Sequence, residues 1–168
     1  MRRTSSDRRD VLTDRLLGVA EFSHAQWFFG NLYETVVKVP HRIATSEAST
    51  DLPRSPFAAG SPARYYVPIA PVIVPAAVAA LLTGWNRADS RPWLVLAAAS
   101  SAAGGAATGY LLRSVNPRLF FGAQPLSEMR RKPLLKKWYR INAFRLAASG
   151  IALAAIHQAR VTGMRTRG

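Results

Sequence analysis

Residues 66–112 read YVPIAPVIVPAAVAALLTGW, then NRADSR, then PWLVLAAASSAAGGAATGYLL. Two apolar runs of about 20 residues each are divided by one short polar hexapeptide. A helix of that length is about 30 Å long, the thickness of the hydrocarbon layer of a bilayer. The connection Asn86-Arg87-Ala88-Asp89-Ser90-Arg91 is too short for anything but a turn, so the two runs form an antiparallel helical hairpin. Pro68, Pro71 and Pro75 predict a bent or irregular first half for the leading run. Pro92 stands at the start of the following run, where its missing N–H is harmless. Trp93 and Tyr110 sit near the two ends of that run, as interfacial aromatics do. Gly105-Ala106-Ala107-Thr108-Gly109 forms a ridge of small residues that admits close approach of another helix, from the same chain or from a second copy in a homo-oligomer.

Working outward, a first run at 16–39 stops ahead of Pro40, before which helices usually end. A last run at 135–156 lies between the basic block Arg130-Arg131-Lys132 with Lys136-Lys137 and a short basic tail. The expected fold is therefore all-α: an integral membrane, antiparallel four-helix bundle with spans at 16–39, 66–85, 92–112 and 135–156. These spans make one domain, 16–160, between a basic arm at 1–15 and a basic tail at 161–168. Between helices 1 and 2 lies a long polar loop from His41 to Arg64, rich in Ser, Thr, Pro and Ala. Loops of that length are commonly functional, and a lid or partly ordered cap is expected there.

Composition agrees once it is read by position. The chain has 168 residues without internal repeat, enough for one domain. Hydrophobic residues make up 49%, yet the mean hydropathy is only +0.01, because long apolar runs alternate with arginine-rich segments. The formal net charge of +14 suits either nucleic acid or an anionic membrane surface. The basic residues flank apolar runs, and no nucleic-acid-binding fold or basic–aromatic groove pattern accompanies them, so the bilayer is the expected partner and nucleic acid is not. The localisation expected is the cell membrane, multi-pass. Lys and Arg divide almost evenly between the two ends of the bundle, so they give no orientation. Glu21 and His24 interrupt the first run, which also lacks a small-residue cleavage site and does not read as a signal peptide. Cysteine is absent, which excludes disulfides, thiolate catalysis and cysteine metal sites.

Ionisable groups inside a span cost about 2.5–3.5 kcal/mol each, so they face a bundle interior or cavity and mark function. Glu21, His24, Asn31 and Glu34 fall within an arc of about 140° at 100° per residue and share one face of the first helix. Glu21 and Glu34 are about 20 Å apart along it and belong to different depths. In an antiparallel bundle Arg140, Asn142 and Arg145 come level with Asn31 and Glu34, which predicts a pair between Glu34 and Arg145 or Arg140. Arg113, Asn116 and Arg118 end the third run at the same level, and His157 emerges at the other end, near Glu21. A snorkelling Arg140 or a purely structural pair at Arg145 is the bland counterpart of this reading. Glu21-Phe22-Ser23-His24 has the Glu-x-x-His spacing of di-iron bundles, but that site needs the motif twice, so no metal is expected. Trp27, Phe28, Phe29, Tyr33, Trp138 and Tyr139 would suit either an aromatic pocket or ordinary packing. No Gly-x-Ser-x-Gly elbow is present to support a serine nucleophile.

Three segments carry a family resemblance: Trp27-Phe28-Phe29-Gly30-Asn31-Leu32-Tyr33-Glu34, Val115-Asn116-Pro117-Arg118-Leu119 and Trp138-Tyr139-Arg140-Ile141-Asn142-Ala143-Phe144-Arg145. Together they resemble a group of small four-span membrane proteins of largely unknown function that includes the anthrone oxygenases. The resemblance implies a four-helix membrane fold and, for members of that kind, oxygenation of an aromatic polyketide carbon without metal, flavin or other cofactor. Asn116, Trp138, Asn142 and Arg145 are the positions that match the group. The long loop at His41–Arg64 and the acidic Glu34 depart from it. The expected function is an enzyme acting on a hydrophobic, aromatic small molecule. His24 or Glu34 would be its base, and Arg145 with Asn116 or Asn142 would stabilise an enolate. Asn31, Trp27, Trp138 and Tyr139 complete the candidate site. The alternatives are a cyclase using a buried, protonated Glu34 as general acid, a non-catalytic membrane scaffold, and, more weakly, a transporter.

Overall fold

The computed structural model describes residues 5–45, 63–121 and 126–165. All the secondary structure among them is helical. Helix α1 (Ser5–Val36) is followed by α2 (Val39–Thr45), α3 (Ala63–Tyr66), α4 (Ala70–Thr83), α5 (Arg91–Tyr110), a π-helical segment (Leu111–Val115), α6 (Asn116–Phe120) and α7 (Glu128–Arg165). The expected lid at 41–64 lies mostly outside the described residues.

Local chemistry sets the breaks. Helix α1 ends where Lys38 adopts a left-handed φ of 56°, immediately before α2, which carries Pro40 in its first turn. Pro68, which has no N–H to donate, separates α3 from α4 across a turn closed by the Ile69 N–H on the Tyr66 carbonyl at 3.0 Å. The irregularity expected for the first half of that apolar run is confined to the turn around Pro68; Pro71 takes a first-turn position of α4 and Pro75 lies inside it. Pro117 removes the bond that the Arg113 carbonyl would otherwise accept, and the backbone widens just before it into the π-helical segment, where the Asn116 N–H reaches back to Leu111.

Helices α1, α4, α5 and α7 pack in a ring, each antiparallel to its neighbours. Tie points fix the register. Ser90 donates to the Ala159 carbonyl (3.1 Å), and Arg87 in the α4–α5 turn bonds Asp10 (3.0 Å) and Asp14 (2.8 Å) of α1. At the same end Glu21 binds His157 (3.0 Å) and Arg160. The apolar core there consists of Leu17, Ala20, Ala76, Ala80, Leu94, Ala97, Ala155, Ile156 and Ala159. Small residues dominate it, which brings the four backbones close together.

Several polar side chains are buried beside this apolar core while large apolar ones face outward. Buried positions include Ser23, His24, Asn31, Ser101, Asn142, Arg145 and Ser149, whereas outward positions along the same helices include Val19, Phe22, Phe29, Leu32, Val78, Leu82, Leu96, Phe144 and Ile151. Two helical stretches, Arg64–Thr83 and Arg91–Phe120, are long and apolar enough to cross a membrane.

Candidate functional site

The site lies where α1 and α7 meet beneath α2 and α3, and one buried side chain organises it. Asn142 of α7 is fully buried; its amide donates to the Thr35 hydroxyl (2.7 Å) and lies 3.5 Å from the Asn31 carbonyl, both on α1. Its own carbonyl oxygen accepts from an Arg145 terminal nitrogen at 3.1 Å. Spacing explains the arrangement. Asn31 and Thr35 are four apart and so share one face of α1, while Asn142 and Arg145, three apart, share one face of α7.

Arg145 is held on its other side by an aromatic ring. Its guanidinium lies 5.3 Å from the Trp27 ring centroid, and the Trp27 ring meets Tyr66 edge-on at 4.8 Å. Such a contact compensates a cation withdrawn from water. Tyr66, from the four-residue α3, shares a hydrogen bond with the Glu34 carboxylate. Glu34 also feels the positive charge of Arg145, although among the described residues the two make no ion pair within 4 Å. A charge network therefore runs from Glu34 through Tyr66 and Trp27 to Arg145, and on to Asn142, Thr35 and Asn31. Two of its buried atoms, Asn31 Oδ1 and Arg145 Nε, have no hydrogen-bond partner among the described residues. One is an acceptor and the other a donor, and buried groups of this kind normally find a partner.

A cavity of about 420 Å³ opens beside the network, lined by Phe29, Gly30, Tyr33, Glu34, Val39, Tyr65 and Tyr66. Its volume is that of a small-molecule site. Its walls are largely aromatic, and its polar lining comes from Glu34 and the tyrosines Tyr33, Tyr65 and Tyr66. Gly30 makes the cavity and the contact compatible. A Cβ there would come within 2.6 Å of Tyr65 Cε1 and 2.9 Å of the Tyr66 hydroxyl.

Compared with known protein families, curated proteins and solved structures, the chain matches none. The site therefore rests on its own geometry.

Glu34, Arg145, Asn31, Asn142 and Trp27, all candidates by sequence, come together in this network. Arg140 does not join it and is exposed. His24 lies deeper. Its Nδ1 is 2.7 Å from the Ala20 carbonyl, which can only accept, so Nδ1 carries the proton and Nε2 accepts from the Ser101 hydroxyl at 3.0 Å. That pair joins α1 to α5 at a level away from Glu34. Trp138 packs with Leu111, Val115, Leu119 and Leu135 in an apolar cluster, and Tyr139 borders it. Asn116 follows the π-helical segment, with its buried Oδ1 unpartnered among the described residues. Thr35, Tyr66 and Ser101 were not singled out by sequence. The antiparallel register carried a signal for Tyr66, since the second run must begin at the level where the first ends.

Proposed function

We propose that this chain is a four-span membrane protein that draws a flat, hydrophobic aromatic molecule into the cavity beside Glu34 and removes a proton from it. The observation that carries the membrane reading is the burial of polar side chains in helices whose large apolar side chains face outward. A water-soluble bundle would turn Ser23, His24, Asn31, Asn142 and Arg145 towards solvent and Phe22, Leu82 and Ile151 inward; here the reverse holds. Helices α1 and α7 are less apolar on average because exposed charged residues at their ends, such as Arg8, Arg9, Lys136, Lys137 and Arg140, add to the buried Asn31, Asn142 and Arg145. Exposed aromatics add support. Trp85 and Trp93 stand at one end, and Tyr33, Tyr65 and Tyr110 at the other. Trp93 and Tyr110 lie about 26 Å apart along α5 at 1.5 Å per residue, close to the hydrocarbon thickness.

The chemistry follows from the groups at the cavity. Glu34 is the base. Tyr66 orients its carboxylate, and Arg145, held off by the Trp27 ring, balances its charge without neutralising it by direct contact. A substrate carbon made acidic by flanking aromatic rings and a carbonyl gives up its proton to Glu34. The resulting carbanion reacts with dioxygen to form a hydroperoxide anion, which takes the proton back. Loss of water then converts the original CH₂ to a carbonyl, so that one CH₂ and one O₂ give one C=O and one H₂O. Such delocalised carbanions reduce dioxygen themselves, and no further reductant enters the balance. The resemblance to the anthrone oxygenases points the same way.

The test is oxygen uptake by detergent-purified protein offered anthrone-like and other phenolic substrates. Uptake that Glu34→Gln abolishes and Tyr66→Phe weakens, with folding intact, supports the assignment. A folded protein that consumes no oxygen refutes it, and turnover of substrate without oxygen would mark a cyclase or isomerase instead. The bonds from Asn142 to α1 favour a second reading, a scaffold whose polar network fixes helix register; under it no substrate turns over and Glu34→Gln alters stability alone.

A further inference from the structure

Lys and Arg are nearly balanced between the two ends of the bundle, but the acids are not. Of the nine acidic residues, Asp7, Asp10, Asp14, Glu21 and Asp89 lie at the end that holds the α4–α5 turn. Three of them engage cations there, Asp10 and Asp14 through Arg87 and Glu21 through Arg160. Glu47 and Asp51 fall outside the described residues. At the other end the described acids are Glu34, committed to the cavity, and Glu128, bound to Lys132 at 2.7 Å. Lys132 holds the Glu128 carboxyl below its ordinary pKa, so that acid is ionised and already matched.

Five described cations at this end are arranged in a band. On α7, Lys136, Lys137 and Arg140 are exposed, and at helical spacing the same stripe continues as Ala143, Phe144, Ala147 and Ile151. The outward face therefore changes from cationic to apolar at about residue 140. On the neighbouring helix the change comes between the exposed Leu112 and the exposed Arg113, followed by Arg118. The two transitions share one level, because the Lys137 ammonium sits 4.9 Å from the Tyr110 ring. Cations at this depth, with long stems lying along an apolar surface, are placed where phosphate groups of a bilayer lie.

We propose that Arg113, Arg118, Lys136, Lys137 and Arg140 form a collar that binds the phosphodiester headgroups of anionic phospholipids, and that this end of the bundle faces the more anionic leaflet. The proposal rests on the membrane reading but not on the oxygenase reading. Attraction of about 1 kcal/mol per basic residue at an anionic surface corresponds to about a fivefold preference per cation.

The experiment compares the thermal stability and the co-purifying lipid of the full chain in nanodiscs of phosphatidylcholine alone and of phosphatidylcholine with phosphatidylglycerol. Wild type should be stabilised by, and enriched in, phosphatidylglycerol. Replacing Lys136, Lys137 and Arg140 by Gln should cut that preference on the order of a hundredfold, and high salt should do the same. Replacing Arg8, Arg9 and Arg15 at the other end should leave the enrichment largely unchanged. Inorganic phosphate added to phosphatidylcholine discs should not reproduce the stabilisation; if it does, the site is for free anions and the lipid assignment falls. Equal behaviour in both lipids, or a preference untouched by the triple replacement, overturns the collar while leaving the membrane reading intact. Failure to enter any disc overturns the membrane reading itself.

Discussion

Replacing Gly30 by Ala puts two opposing terms against each other at the candidate site. Removing a glycine from a helix interior should stabilise by about 1 kcal/mol. The added Cβ, however, would stand 2.6 Å from Tyr65 Cε1, 2.9 Å from the Tyr66 hydroxyl and 3.0 Å from Tyr66 Cε1. Overpacking of this order costs about 1–3 kcal/mol, so the variant should lose up to about 2 kcal/mol overall. Tyr65 is half exposed and held only by a 3.4 Å bond to the Gln26 carbonyl and an edge contact with Tyr66, whereas Tyr66 is tied to Glu34 and Trp27, so more of the strain falls on Tyr66. Gly18, also in α1, provides the control, because a Cβ there meets nothing within 4 Å. Gly18→Ala should be neutral or stabilising, and the two variants should differ by about 1–3 kcal/mol. Reversible unfolding in mixed micelles measures the difference, and titration with a flat aromatic probe reads the cavity. Probe binding should weaken in Gly30→Ala but not in Gly18→Ala. If both variants unfold alike and bind the probe alike, α3 does not dock on α1 as described, and the Tyr66–Glu34 contact has no basis.

Asn142→Leu takes the hydrogen-bond acceptor from the buried Arg145 guanidinium, whereas the Thr35 hydroxyl keeps its bond to the Asn31 carbonyl at 2.8 Å; with one buried group left unsatisfied it should destabilise by about 1–3 kcal/mol. Thr35→Val should cost less, and the two together should cost less than their sum in the same unfolding assay. Ser101→Ala removes the donor to His24 Nε2 and should cost about 1–3 kcal/mol of stability. Because His24 stands apart from the Glu34 cavity, substrate turnover by folded Ser101→Ala should equal wild type, and a loss would return His24 to the candidate base position. Ile151→Lys, on an outward surface in the middle of α7, should impair membrane insertion by about 2.5–3.5 kcal/mol in a glycosylation-reporter assay. Undiminished insertion would argue that α7 does not span.

The hairpin of α4 and α5 was legible because each apolar run stands alone, with a turn too short to allow any other pairing. Helices α1 and α7 were harder, since a hydropathy average treats Asn31 and Phe29 alike whichever way they face. Reading them required the 100° step, which put His24, Asn31 and Glu34 on one arc and brought Arg145 level with Glu34. That arithmetic recovers depth but not contact. It brought Arg145 into the neighbourhood of Glu34, yet Trp27 rather than Glu34 is the group the guanidinium stacks on. It ended the third span at Leu112 and gave no sign of the π-helical segment Leu111–Val115. A π turn holds more residues than an α turn, so the face of every later position is rotated, and straight counting misjudges where Asn116 points. Tyr66 was missed for a different reason. Its helix is four residues long, and it is positioned by the absence of a side chain at Gly30. A glycine flanked by Phe29 and Asn31 on a polar-faced helix is compatible with close approach, and antiparallel register narrows the partner: with Gly84 packed near Thr13, counting back along the second run brings residue 66 level with residue 31, next to Gly30.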